Sequence, residues 1–317
     1  MTARYRRELS LAGAIALLFA LLAALAPGFF TWGNQVDLMM ANIPVLITAL
    51  GMTLVILTGQ IDISVGSQFA ICSMAAGALA KAGLPTPLAG AGAVLGGAAM
   101  GALNGALVSY ARIPSIVVTL ATMVALRDGQ RWLTQGAWVE GMPPSFQWFG
   151  LGQAASQAVT AGCALALTVG IAWGLGNLGA GRAVYAAGSN AEAARLAGID
   201  SRRVVFGVFT VTGALTAFAA VLNAVRFNQI PSNAGTGLEL QVIAAAIVGG
   251  AAVTGGRGTV PGTFLGVLLL GAIGPALTFL GISAYWERAI QGAIILVSVA
   301  MDAVRIRKVK HAGAAAA

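Results

Sequence analysis

Charge is what this sequence has least of. Of its 317 residues only 9% are Asp, Glu, Lys or Arg, against about 25% in an ordinary soluble domain. A water-soluble domain of this length could not cover its surface with so few, which excludes a soluble enzyme, a secreted scaffold and a disordered chain. Cysteine is nearly absent: Cys72 and Cys163 both sit inside apolar runs and read as small packing residues without redox meaning. The single histidine, His311, stands in the C-terminal tail, and nothing resembles a zinc site or an activated nucleophile. What is abundant is apolar: 58% of the residues are hydrophobic and the mean hydropathy is +0.86. The 43 glycines are about 14% of the chain, twice the usual ~7%. Together these predict an all-α polytopic membrane bundle of closely packed helices.

A membrane span needs about 20 apolar residues, and that ruler gives ten segments, near 9–30, 36–58, 63–80, 88–110, 113–131, 154–177, 203–225, 238–254, 260–281 and 286–303. The third, fifth and eighth are interrupted by polar or small residues, and broken or re-entrant helices are expected among them. The first run is too long for the core of a signal peptide and reads as an uncleaved span. With the N-terminus inside, 13 of the 18 basic residues fall on the cytoplasmic side: Arg4, Arg6, Arg7, Arg112, Arg182, Arg195, Arg202, Arg203, Arg257, Arg305, Arg307, Lys308 and Lys310. Lys81, Arg127, Arg131, Arg226 and Arg288 fall outside. That asymmetry predicts ten spans with both termini cytoplasmic. The net charge of +8 is therefore an orientation signal rather than a nucleic-acid footprint. Asp62 and Asp302 count inside, Glu239 outside, and all ten acids are expected near span ends.

Two connections exceed turn length. The outward one, residues 131–152, carries Trp132, Trp138, Phe146, Trp148 and Phe149 around Pro143-Pro144, as either a headgroup-level aromatic belt or a docking surface. The cytoplasmic one, 178–203, contains AAGSNAEAARLAGIDSRR from Ala186 to Arg203. Ser189 and Glu192 have capping-box spacing and Gly198 offers a left-handed stop, predicting about two turns of projecting helix, too short to stand alone. A faint repeat is also present. LTGQIDISVGS (Leu57 to Ser67) and VTGGRGTVPGT (Val253 to Thr263) share Thr58 with Thr254, Gly59 with Gly255 and Gly66 with Gly262. Duplicated halves are a common way to build transporters.

The Ala186–Arg203 segment resembles the coupling loop of bacterial ABC importer permeases of the monosaccharide branch, the ribose, xylose, arabinose, rhamnose and autoinducer-2-like sugar permeases. GMTLVILTGQIDISVGS (Gly51 to Ser67), GALNGALVSYARIPSIVVTLATM (Gly101 to Met123) and ELQVIAAAIVGGAAVTGGRGTVPGT (Glu239 to Thr263) are similar to further motifs of that branch, in order along nearly the whole chain. Gln60 and Asp128 stand where glycine is usual. The resemblance implies a single permease domain over residues 1–317 in the bacterial inner membrane. It implies as partners a second permease copy or paralogue, ATPase subunits using ATP and Mg, and a periplasmic sugar-binding protein, with no nucleic acid. The residues bear on one part of this independently. The three lysines are preceded by Ala80, Arg307 and Val309, so no Gly-Lys phosphate loop occurs, and no cofactor is expected on this chain.

On this reading Ser189, Asn190, Glu192, Ala193, Arg195, Gly198 and Arg257 are expected at the ATPase-coupling surface, although a loop helix resting on its own protein is the plain alternative. Asp62 and Ser64 either cap the third helix or meet solute. Asn42, Asn104, Thr119, Thr122 and Asn223 either line a translocation path or tie helices together. Gly97, Gly101 and Gly105 recur every four residues, a small-residue packing stripe. The expected function is import of a small neutral monosaccharide by alternating access, without enzymatic activity of the chain's own. The alternative is an ion-coupled carrier. Acids confined to span ends weigh against proton coupling and leave sodium sites built from backbone carbonyls open.

Overall fold

The computed structural model describes residues 6–283, 285–294 and 296–297. Arg4, the end of the tenth expected span, and Asp302, Arg305, Arg307, Lys308, Lys310 and His311 lie outside the described residues. The α-helices bounded on both sides among the described residues are, in chain order, α1 (Arg6–Leu25), α2 (Trp32–Leu57), α3 (Val65–Lys81), α4 (Thr86–Ser109), α5 (Ser115–Thr134), α6 (Gln153–Asn177), α7 (Gly179–Ser189), α8 (Ala191–Leu196), α9 (Ser201–Ala224), α10 (Leu238–Val248) and α11 (Val260–Phe279). Residues 286–294 are also helical. The described sheet is a pair of two-residue strands, β1 (Val139–Glu140) and β2 (Gln229–Ile230), antiparallel with Val139 opposite Ile230.

The protein is thus an all-α polytopic membrane protein. Among the described residues six helices are long and apolar enough to cross a bilayer: α1 from Glu8, α2, α4, α6, α9 and α11. The other expected spans differ for identifiable reasons. Helix α3 has 17 residues. Helix α5 carries Arg127, Asp128 and Arg131 in its last two turns. Helix α10 has only 11 residues, about 16 Å at 1.5 Å per residue, or half of the ~30 Å hydrocarbon core.

Helix α2 runs through the centre, buried almost continuously from Ile43 to Leu57, and packs on α9, α10 and α11. Lipid offers no hydrophobic drive for helix association, so close contact rests on small residues. The α4–α9 interface illustrates this. A Cβ on Gly97 would overlap Ala217 and the Gly213 carbonyl, one on Gly101 the Phe209 carbonyl, and one on Gly105 would press on Phe206 and Phe209. The four-residue spacing therefore places backbone against backbone along three turns. Helices α1 and α6 form the periphery, with Leu9, Leu17 and Leu25 of α1 and Leu165, Val169 and Trp173 of α6 exposed.

The aromatic connection 131–152 divides in two. Phe146 is buried and Trp148 N donates to the Val225 carbonyl at 2.7 Å, while Trp132 and Trp138 are exposed. Its β1 strand is zipped to the segment that follows α9.

Gly101→Leu is expected to destabilise the protein by about 3 kcal/mol, the upper end for overpacking. Thermal stability in detergent, followed by monodispersity, checks this; Leu95→Ala on the exposed face of α4 should leave it unchanged.

Candidate functional site

The two copies of the repeat meet. Gly59 and Gly255, which the alignment matches, both take left-handed backbone, φ +75° and +84°, a conformation that glycine adopts without strain. A Cβ on Gly255 would press on the Gly59 backbone. Gly256 N donates to the Leu57 carbonyl at 2.9 Å, and the Thr53 and Thr263 hydroxyls lie 2.6 Å apart. Into this contact comes the end of α7. A Cβ on Gly188 would overlap the Leu57 carbonyl and crowd Gly256 N, while one on Gly256 would meet Ser189. Tyr185 donates its hydroxyl to the Gly258 carbonyl at 2.9 Å. Neither Gly188 nor Tyr185 was singled out by spacing, because their partners Leu57, Gly256 and Gly258 are 68 or more positions away.

Beyond Gly188 the chain turns outward. The expected capping box is displaced by one residue. Ser189 closes α7, and Asn190, extended at φ −159° and ψ 101°, caps α8 by accepting from Glu192 N and Ala193 N, both at 3.0 Å. Glu192 does not reach back as expected; its carboxylate pairs with Arg195 at 2.6 Å, both side chains 69% exposed. The cause is that α7 is pinned at Gly188, which leaves Ser189 helical and unable to adopt the extended backbone an N-cap needs. Helix α8 is six residues, close to the two turns expected at about 3.6 residues per turn. Gly198 is left-handed as expected, φ +80°, and Asp200 caps α9 by accepting from Arg202 N at 3.0 Å and Arg203 N at 3.4 Å.

Ala194 holds α8 down, while Leu196 on the same short helix is 78% exposed. An open groove of about 570 Å³ lies along Glu192, Arg195, Ile199 and Arg202. Arg257 is exposed on the turn that packs on α7.

A second cluster sits just inside the repeat turn. The Ser64 hydroxyl donates to Asp62 Oδ1 at 2.6 Å and accepts from Gln68 Nε2 at 2.7 Å and Asn104 Nδ2 at 2.8 Å. That exhausts the one donor and two acceptor sites of a hydroxyl. Asp62 Oδ1 also accepts from Ser64 N at 2.9 Å. All four side chains are buried, so Asp62 organises the entry to α3 and Asn104 ties α4 to it. Thr119 joins the same loop, donating to Ser115 O at 2.8 Å and to Ile61 O at 3.4 Å.

The remaining predicted polar residues do not converge there. Thr122 bonds within its own helix, to Thr119 O at 3.3 Å. Asn42 donates to Leu38 O at 2.8 Å and lines a cavity of about 20 Å³ with Gln241 and Gln291. Asn223 is half-buried near the end of α9.

Comparison with known proteins follows the same outline. Residues 34–299 match a family described as branched-chain amino acid transport system / permease component. The chain belongs to this permease family. Similar proteins include the autoinducer 2 import system permease protein LsrC of Enterobacter sp. (strain 638), 36% identical over 93% of this chain and 86% of that protein. The ribose import permease protein RbsC of Escherichia coli (strain K12) is 34% identical over 91% of each chain. LsrC of Yersinia pseudotuberculosis serotype O:1b (strain IP 31758) is 35% identical over 91% of this chain and 82% of that protein. No solved structure matches. The resemblance read from the motifs is thus borne out at the level of the permease family, along most of the chain.

For this permease, Asn190→Ala is expected to loosen α8 by about 1 kcal/mol, seen as faster amide exchange at Glu192 and Ala193, with Ser189→Ala much milder. The reverse order would restore the capping box. Ser64→Ala should leave the buried amide donor of Asn104 unsatisfied, leave Gln68 only its 3.4 Å bond to Asp62 Oδ2, and lower thermal stability by about 1–3 kcal/mol.

Proposed function

We propose that this permease is the membrane subunit of an ATP-driven importer that moves a small neutral monosaccharide, a pentose, a deoxyhexose or a related furanosyl compound, by alternating access. The names of its relatives support the substrate class, since they import ribose and autoinducer 2. The observation that carries the mechanism is the backbone contact at Gly188. It joins an exposed six-residue helix, which presents Glu192, Arg195 and Leu196 to the surroundings, to both repeat turns at once. A helix this short is stable only when packed; its outward side is suited to receive a partner ATPase, with Arg257 alongside.

The rest of the proposed assembly follows from this reading. The chain forms a single domain of ten spans in the bacterial inner membrane with both termini cytoplasmic, α10 being the broken one. The connection 178–203 couples to ATPase subunits that use ATP and Mg, and this chain hydrolyses nothing itself. The outward connection 131–152 receives a periplasmic sugar-binding protein, and a second permease copy or paralogue completes the pathway. Because a ligand shifts a two-state equilibrium only by binding the two states differently, nucleotide-driven closure of the ATPases must displace α8. The Gly188 contact then passes that displacement to α2, α3 and α11. A proton-coupled carrier is less well supported. It needs an acid free to load and release a proton, whereas Asp62 is held by Ser64 and Gln68 and Glu239 is paired with Arg127.

In vesicles containing the permease with its ATPase and binding protein, sugar uptake is expected to require ATP on the cytoplasmic side and to survive a proton ionophore. Uptake that follows a proton or sodium gradient without ATP would refute the proposal. Glu192→Ala and Arg195→Ala are expected to raise the ATP consumed per sugar several-fold with unchanged membrane insertion, and Gly188→Val to abolish uptake while the ATPase still binds.

A further inference from the structure

The repeat turns and α8 leave one constellation without a role. Arg127 of α5 and Glu239 of α10 approach to 3.5 Å, with side chains only 18% and 10% exposed. The other ion pairs among the described residues join positions three apart on exposed helix ends; this one joins separate elements. It is also incomplete, because Arg127 Nη2 and Glu239 Oε2 are buried and neither makes a hydrogen bond. On the Gly66 side the pair is closely packed, since a Cβ there would overlap the Glu239 carboxylate and the Gly235 carbonyl. A buried pair with unfilled hydrogen-bonding positions is poor value for stability alone, and ionisable groups at membrane depth are functional by default.

Glu239 stands in the first turn of α10, and its carboxylate packs against Gly66 at the start of α3. Arg127 is twelve residues along α5 from Ser115, roughly 18 Å, and Ser115 accepts from Ile61 N in the first repeat turn. Glu239 lies about 15 Å along α10 from the second. The two helices thus measure a similar depth from the same end of the protein. In secondary transporters such broken-helix junctions near the midplane are where solutes bind, and the same logic of exposed backbone and helix ends applies to any solute route.

The pair is also covered from the other side. Gln130 donates to the Ser232 carbonyl at 3.0 Å and Ser232 to the Gly136 carbonyl at 3.0 Å, which ties the connection before α10 down over it. Asp128 and Arg131, within a turn of Arg127, are exposed.

We propose that Arg127 and Glu239 form an internal gate on the sugar route, closed in this structure. The proposal rests on the importer reading above. While closed, the two groups neutralise each other. Parted, they offer one donor and one acceptor to the hydroxyls of a polyhydroxylated neutral solute, which replaces the lost pairing without demanding a charge on the solute.

The test uses the assembled transporter in vesicles with ribose as the first probe, extended to other neutral monosaccharides that the binding protein retains. Glu239→Gln, nearly isosteric, is expected to raise ATP hydrolysed per sugar at least threefold. Arg127→Glu should lower uptake at least tenfold, and the exchange Arg127→Glu with Glu239→Arg should recover at least a third of it. Cysteines at both positions, in a background with Cys72→Ala and Cys163→Ala, are joined by a bifunctional methanethiosulfonate. Uptake should fall at least tenfold and return on reduction. A locked protein that takes up sugar at the unlocked rate overturns the gate, as does Glu239→Gln with wild-type uptake and ATP use. Where Arg127→Glu fails to insert, the reversible lock decides. Wild-type vesicles without ATP-driven uptake would instead defeat the importer reading itself, a result distinct from a lock without effect.

Discussion

The contact on which the rest of this structure depends is the absence of a side chain at Gly188. There the end of α7 presses its backbone against the Leu57 carbonyl and Gly256 N, so three segments far apart in sequence meet with no room between them. In lipid, helices gain nothing by hiding apolar surface from each other, and packing of this closeness takes over as the cohesive term. The same device recurs where α4 meets α9 at Gly97, Gly101 and Gly213, and where Gly249 meets Gly262. These glycines are specific close approaches, each of which transmits a push because neither side can yield.

That rigidity gives the repeat its meaning. Gly59 and Gly255 turn the chain by the same left-handed conformation, and Gly66 and Gly262 each lie where a Cβ has no space. Matched glycines with matched duties build one joint from two turns, and α7 is wedged into it. On one side of the joint stands α8, held by a single buried alanine and otherwise exposed. On the other side begin α3 and α11, and from it α10 leads back to the buried Arg127–Glu239 pair. A displacement at the exposed end therefore has a continuous packed route into the bundle.

Much of this was legible in the sequence, and the parts that were not share a cause. The membrane character, the glycine stripe of α4 and the existence of a polar helix after α6 follow from local composition and spacing. The repeat rested on three identities in eleven residues, yet the two glycine identities fell where backbone geometry is most demanding. What local reading missed was set by tertiary contact. Ser189 and Asn190 are both able to cap a helix, and only the pinning of Gly188 decides between them. Glu239 lies at the start of an apolar stretch and so resembles a rim residue, until the brevity of α10 brings it against Arg127, 112 positions earlier. Asp62 carried two readings, and the saturation of Ser64 by three partners favours the organising one.

The central claim is that α8 and the two repeat turns move as one body. Pulsed electron paramagnetic resonance on labels at Leu196 in α8, Val253 at the start of the second turn and Trp138 on the aromatic connection 131–152, all exposed, tests it directly in the assembled transporter with and without a non-hydrolysable ATP analogue. The account predicts a constant distance between the labels at 196 and 253, while both change their distance to the label at 138. A changing 196–253 distance with a fixed 253–138 distance would mean that α8 swings on a free hinge, and would contradict it.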